Sequence, residues 1–122
     1  MTIFLIYFSA FLFALMGIGS IVWPRLTAAQ FGILELNREG RNEVRAVYGG
    51  FGLAMASMLV AAALVPEIRM GVTLTISLAL AGMAIGRVLS ALIDRGIGRK
   101  PAFYLCLELL GFLILLWASG FF

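Results

Sequence analysis

Four long apolar runs, separated by short polar segments, dominate the hydropathy pattern of the chain. They cover about residues 3–23, 44–65, 70–93 and 101–122. Each run has the roughly 20 apolar residues that an α-helix needs to cross about 30 Å of hydrocarbon. Because the runs and their connections use nearly all of the chain, we predict a single domain over residues 1–122. Its fold class is all-α integral membrane, a bundle of four transmembrane helices.

The longest polar segment, residues 25–41, lies between the first two runs. Apolar residues recur there at helical spacing, at Leu26, Ala29, Ile33 and Leu36. Thr27 and Gln30 have the spacing of a capping box, which marks the start of a helix. We therefore predict a short amphipathic helix that lies in the membrane interface and is ended by residues 37–40.

The composition agrees with a membrane protein, and the charges suggest its orientation. Hydrophobic residues make up 63% of the chain and charged residues 12%, whereas soluble domains carry about 25% charged residues. Seven basic residues surround the first and third connections, at Arg25, Arg38, Arg41, Arg45, Arg95, Arg99 and Lys100, and the second connection has only Arg69. The positive-inside rule then predicts that both termini lie outside the cytoplasm. The net charge of +3 indicates contact with membrane lipids rather than with nucleic acid.

The residue inventory limits the chemistry. The chain has no histidine, which removes the commonest metal ligand and the usual general base. Cys106 is the only cysteine, so no internal disulfide can form. We predict no metal, no cofactor and no set of catalytic residues.

Small residues on the second and third runs predict where helices approach each other. Gly49 and Gly52 follow one helical face, and Gly82 and Gly86 form a Gly-x-x-x-Gly motif. Such residues let helix backbones pack closely in a membrane. We therefore expect these four glycines to face other helices of the bundle.

Arg87 lies about two turns inside the third run, where a charge requires a partner or a function. A charged side chain costs about 2.5–3.5 kcal/mol at the centre of a membrane helix. Glu108 in the fourth run lies at a similar depth, so we expect an ion pair with Arg87, direct or bridged by Tyr48. The remaining polar side chains assigned to this layer are Asn42, Glu43, Arg45, Ser90 and Asp94.

The polar layer has two interpretations. It is either a structural ion pair whose spare donors the other side chains satisfy, or a pocket that grips the polar end of an amphiphile, because ionisable residues inside membranes often mark functional sites. Binding of a lipid, an isoprenoid or a similar amphiphile is our leading hypothesis. An accessory subunit of a larger membrane complex, or a homo-oligomer, is the second. An enzyme acting on a lipid-soluble substrate is the third.

The polar signature also resembles a known family. It consists of Asn42-Glu43-x-Arg45-Ala46-x-Tyr48-Gly49-Gly50, then Gly86-Arg87-x-x-Ser90, Asp94 and Glu108. This pattern resembles the small bacterial four-span proteins catalogued as the domain of unknown function DUF4345, and it is loosely similar to DoxX-like proteins. The resemblance implies a multi-pass protein of the bacterial inner membrane and implies no activity. It also leads us to expect glycine directly after Asp94, where this chain has Arg95.

Overall fold

The computed structural model describes residues 1–122 and is helical over most of its length, without strands. The helices are α1 (Thr2–Val22), α2 (Pro24–Ala29), α3 (Arg38–Val44), a π-helical segment (Arg45–Gly50), α4 (Phe51–Leu64), α5 (Pro66–Ile93) and α6 (Arg99–Ala118). The α3 helix, the π-helical segment and α4 run on without a break as the second span, Arg38–Leu64. Together with α1, α5 and α6 it gives four helices long and apolar enough to cross a membrane. The predicted all-α four-span bundle is therefore confirmed.

The four spans form a ring. Helix α1 packs along α4, α4 packs against α5, α5 against α6, and α6 returns to α1. The apolar core holds mostly small or branched residues: Ile6, Ala10, Leu59, Ala63, Ile76, Leu115 and Ala118. These residues lie towards the end of the bundle that carries the two termini and the second connection. Other contacts must hold the opposite end, where the first and third connections lie.

Glycine brings α1 and the second span into close contact. A Cβ atom on Gly17 would lie 2.9 Å from the carbonyl oxygen of Gly49, and one on Gly52 would lie 3.0 Å from that of Phe13. Only residues without a side chain allow this approach. Gly49 and Gly52 therefore face another helix, as expected, and their partner surface includes Gly17, which we did not single out from the sequence.

The expected packing of Gly82 and Gly86 is wrong for this structure. A Cβ atom on either glycine would meet no atom within 4 Å. Helix α5 instead meets α6 through a different side, where Leu80 Cδ1 would lie 2.9 Å from a Cβ atom on Gly111. The cause is the rotation of α5 about its own axis. This rotation points Arg87 towards α6 and leaves Gly82 and Gly86 on a face that no other helix covers.

The first connection also differs from its prediction. Its helix, α2, has only six residues and begins at Pro24, a position that proline tolerates. Gly32, with φ of +81°, lies just beyond this helix. Asn37 does not end an interfacial helix but caps the second span, because its Oδ1 accepts a hydrogen bond of 2.8 Å from the backbone N–H of Gly40. The second span consequently begins at residue 38 rather than 44.

The second connection is a single residue, Val65, between α4 and α5. The third span starts at Pro66, four residues before the predicted start at 70. Arg69 lies within its first turns and donates from Nε to the carbonyl of Ala62 at 2.9 Å and from Nη2 to that of Ala63 at 3.0 Å. The guanidinium thus satisfies carbonyl groups at the end of α4 that lack helical partners.

The third connection begins with a Schellman motif at the end of α5. The backbone N–H of Gly96 donates to the carbonyl of Ala91 at 2.9 Å, which is the bond that defines the motif. Arg95 occupies the left-handed position, with φ of +56°. Glycine is the usual residue there, so the departure from the expected Asp-Gly sequence falls at a conformationally demanding position.

Candidate functional site

An ion pair between α5 and α6 forms the centre of the site. Arg87 Nε lies 2.9 Å from Oε1 and 2.8 Å from Oε2 of Glu108, and Arg87 Nη2 lies 2.8 Å from Oε1. The expected direct contact between these residues is therefore confirmed. The Glu108 side chain is 7% exposed, whereas that of Arg87 is 23% exposed.

One nitrogen of the Arg87 guanidinium remains uncommitted. The contacts with Glu108 use Nε and Nη2, and Nη1 makes no hydrogen bond within the protein. No buried side-chain nitrogen or oxygen lacks a partner, so Nη1 reaches the accessible surface. The ion pair thus has a closed side at Glu108 and an open side at Arg87.

A row of aromatic rings adjoins the ion pair. The Arg87 guanidinium carbon lies 5.6 Å from the centre of the Tyr104 ring, within the range of a cation–π contact. Phe31 packs on Tyr104, with ring centres 5.5 Å apart, and stacks on Tyr48 at 5.6 Å. Tyr48 therefore reaches Arg87 only through Phe31 and Tyr104, and not as a direct bridge to Glu108.

Phe31 is the functional-site residue that the sequence pattern did not reveal. It lies in the first connection, just before Gly32, and it joins the second span to the fourth. The available signal was a large aromatic residue directly before a glycine, in a connection of mixed polar and apolar residues. In the sequence it lies outside the apolar positions of the predicted interfacial helix.

Arg87 is one of the residues that line a groove of about 510 Å³ at the ends of α5 and α6. Arg87, Ser90 and Asp94 line one side of it, at helical steps of three and four residues. The remaining lining residues are small or apolar: Phe31, Met83, Gly86, Ala91, Gly96, Ile97, Gly98 and Pro101. The structure therefore brings together three of the polar residues that the sequence singled out, with Glu108 behind them.

Ser90 and Asp94 are both exposed, and neither makes a side-chain hydrogen bond. Asp94 forms no ion pair either, since the only salt bridge of the protein joins Arg87 and Glu108. The polar groups of the groove thus keep free hydrogen-bonding capacity beside an apolar helix face. Such a combination suits a ligand with one polar and one apolar end.

Three other predicted residues do not join this layer. Asn42 and Glu43 are exposed and make no side-chain hydrogen bond. Arg45 donates from Nε to the carbonyl of Ile21 at 3.0 Å, near the end of α1. The prediction that they converge with Arg87 is wrong. Arg45 belongs to the π-helical segment, which packs on α1, whereas Asn42 and Glu43 belong to α3, which packs on α2.

The π-helical segment explains why Arg45 and Tyr48 contact different parts of the bundle. It follows α3 directly and covers Arg45–Gly50. A π-helical turn holds more residues than an α-helical turn, so the phase of the side chains changes within the segment. Arg45 accordingly contacts α1, whereas Tyr48 stacks on Phe31.

The site lies at the basic end of the bundle. Phe31 of the first connection contacts Tyr104, which follows the third connection, so these two connections share one end. The seven basic residues that flank them are therefore gathered there. The groove opens among charges that attract anionic head groups.

Comparison with known proteins gives one match. The family model described as "Domain of unknown function (DUF4345)" matches residues 1–119. No curated protein and no solved structure matches the chain.

Proposed function

Because the chain belongs to the DUF4345 family, whose description states no activity, we propose a function from the geometry of its groove. The protein is a small helical membrane protein, and we propose that it binds an amphiphile. The polar head lies against Arg87 in the groove, and the apolar tail follows the open face of α5 into the lipid. The seven basic residues at this end support a position in the cytoplasmic leaflet under the positive-inside rule.

The observation that carries this proposal is the asymmetry of the ion pair. Glu108 is almost fully enclosed, whereas Arg87 keeps 23% of its side chain exposed at the base of the groove. A purely structural pair is most stable when the hydrogen-bonding capacity of both partners is satisfied. Here Glu108 orients the guanidinium while Nη1 stays free to donate to a ligand.

The open face of α5 offers a path for the tail. Gly86 has no neighbouring atom within 4 Å of a Cβ position, and it lines the groove together with Met83. Met83 lies one helical turn deeper in the span than Arg87, so this apolar edge of the groove leads from Arg87 towards the middle of the membrane. An acyl or isoprenoid chain can follow this edge without displacing a helix.

The exposed pair Gly82 and Gly86 favours a second candidate, an accessory subunit that packs against another membrane protein. Small residues at a four-residue spacing suit close contact with a partner helix, and no helix of this chain covers Gly82 or Gly86. The two functions make different demands on these glycines. Only Gly86 lines the groove, whereas a partner helix would contact both.

Leucine substitutions at the two glycines therefore separate the candidates. Both positions have room for a side chain, and replacing glycine within a helix stabilises each variant similarly, by about 0.5–1 kcal/mol. Native mass spectrometry of the gently extracted protein measures the bound lipid and any bound protein. We expect the wild type and Gly82→Leu to retain an amphiphile and Gly86→Leu to lose it.

Other outcomes of this experiment exclude the proposal. Equal retention by all three proteins would show that the bound amphiphile does not occupy the groove. Loss of a stoichiometric protein partner in both variants would instead support the accessory subunit. In each case circular dichroism checks that the variants remain folded.

A further inference from the structure

We infer that the groove selects a zwitterionic phospholipid, with the phosphate at Arg87 and the ammonium group at Asp94. This inference rests on the proposed function, because it names the class of amphiphile that the same groove accepts. It concerns Asp94, a residue that contributes neither to the ion pair nor to the packing of the bundle. Asp94 instead lines the same groove as Arg87, about two helical turns nearer the end of α5.

The charges of the groove provide the first step. The positive charge of Arg87 is already balanced by Glu108, with three nitrogen–oxygen distances of 2.8–2.9 Å. The only other charged residue that lines the groove is Asp94, and it has no ionic partner within the chain. A purely anionic head group would bring a second negative charge to this unpaired carboxylate, whereas an ammonium group would neutralise it.

The order of the polar groups along α5 provides the second step. Arg87 lies two turns before the end of the helix, Ser90 lies one turn nearer the end, and Asp94 is the residue that caps it. The separation of seven positions between Arg87 and Asp94 corresponds to about 10 Å along the helix axis. In a zwitterionic phospholipid the phosphate likewise lies deeper and the ammonium group nearer the water. The hydroxyl of Ser90, between the two charges, can donate to a phosphate oxygen.

The surroundings of the groove would favour the opposite selectivity. Arg95, Arg99 and Lys100 belong to the third connection or to the first turn of α6, and basic residues at a membrane surface attract anionic lipids. None of the three lines the groove. A preference for a zwitterionic lipid would therefore come from the groove lining itself. The surrounding basic residues would by themselves favour anionic lipids.

A competition experiment measures this preference. The purified full-length protein receives equal amounts of phosphatidylethanolamine and phosphatidylglycerol, and native mass spectrometry gives the ratio in which they are retained. The ratio of the two lipids that Gly86→Leu retains measures binding outside the groove and serves as the background. We expect the groove to favour phosphatidylethanolamine by up to about fivefold, the size of one partly screened charge pair.

Variants of Asp94 test the cause of the preference. Asp94→Asn should bring the ratio close to one, and Asp94→Lys should reverse it in favour of phosphatidylglycerol. The Asp94 side chain is exposed and makes no hydrogen bond or ion pair that these changes would remove, so the fold should persist. Glu43→Lys is the matched control: Glu43 is exposed, belongs to the same basic end and does not line the groove, and its substitution should leave the ratio unchanged.

Failure of this inference is distinguishable from failure of the proposed function. If the groove retains phosphatidylglycerol equally or better, or if Glu43→Lys shifts the ratio as much as Asp94→Lys, the assigned selectivity is wrong although the groove still binds lipid. If the wild type retains neither lipid above the level of Gly86→Leu, the groove binds no phospholipid. The inference then fails, and the proposed function fails with it if the gently extracted wild type also retains no other amphiphile in excess of Gly86→Leu.

Discussion

Removing one member of the Arg87–Glu108 pair should destabilise the protein by an amount that depends on which member is lost. At an effective dielectric constant of about 20, unit charges 2.8 Å apart attract each other by about 6 kcal/mol. Desolvation of the two ions offsets most of this attraction, so the intact pair contributes little net stability. Breaking a buried pair is different, because it leaves one charge buried without compensation and typically costs about 3–5 kcal/mol.

The exposures of the two side chains set the order of the costs. Arg87→Ala leaves a carboxylate whose side chain is only 7% exposed, so we expect a loss of about 3–5 kcal/mol. Glu108→Ala leaves a guanidinium that already reaches the groove and can turn towards water or lipid head groups. For this variant we expect a smaller loss, about 1–3 kcal/mol.

A double-mutant cycle measures the coupling between the two residues. The free energy of unfolding is obtained from reversible denaturation by sodium dodecyl sulfate in mixed micelles, followed by circular dichroism. The double variant should lose about 2 kcal/mol less than the sum of the single losses. A control cycle of Arg45→Ala with Glu108→Ala should be additive, since Arg45 binds the end of α1 instead.

Two results would refute this reasoning. Additivity of Arg87→Ala and Glu108→Ala within about 0.5 kcal/mol would mean that the residues do not interact in the membrane. A larger loss for Glu108→Ala than for Arg87→Ala would mean that Arg87, rather than Glu108, is the enclosed partner. The groove would then lack its exposed guanidinium.

Three further predictions concern the ends and the packing of the helices. Arg95→Gly should raise the free energy of unfolding by about 1 kcal/mol, because Arg95 holds a left-handed conformation; Arg95→Ala removes the same charge and should show no such gain. Gly17→Ala should lower it by about 1–3 kcal/mol, because the methyl group would lie 2.9 Å from the Gly49 carbonyl; Gly19→Ala, at a position with open space, should not. Topology reporters fused to either terminus should lie outside the cytoplasm, and a cytoplasmic signal from both would contradict the orientation derived from the basic residues.

The four spans could be predicted from the sequence because membrane insertion depends on the length and hydropathy of each run. The limits of the spans were less accurate where local signals compete. The third run was predicted to start at residue 70 but its helix begins at Pro66, and Asn37 was predicted to help end one helix but caps the next. Proline and asparagine are each common both just before and just after a helix. The sequence pattern alone therefore does not show on which side of such a residue the helix lies.

The rotation of each span could not be predicted in the same way. All sides of a membrane helix are apolar, so hydrophobic periodicity does not identify the packing face as it does in water. The two glycine stripes looked equivalent, yet Gly49 and Gly52 meet α1 whereas Gly82 and Gly86 meet nothing. The difference follows from the ion pair, which turns α5 so that Arg87 points at α6.

The depth of the charged residues within the spans correctly predicted the ion pair of the site. Arg87 and Glu108 lie at similar distances from the same end of neighbouring antiparallel helices, and a buried charge needs a partner. Depth did not predict the contacts of the second span, because its π-helical segment changes the angle about the helix axis between the Arg45 and Tyr48 side chains. Phe31 escaped prediction since its contacts with Tyr48 and Tyr104 depend on how the first connection folds back over the bundle.

Photo-crosslinking tests most directly whether an amphiphile occupies the groove. A zwitterionic phospholipid with a diazirine close to its head group is incorporated into membranes that contain the protein, and the labelled peptides are identified by mass spectrometry. We predict that adducts concentrate on residues 83–94, the groove-lining end of α5 and its cap, and that Gly86→Leu removes them while Gly82→Leu does not. Adducts spread evenly over all four spans at this depth, and unchanged by Gly86→Leu, would contradict amphiphile binding in the groove.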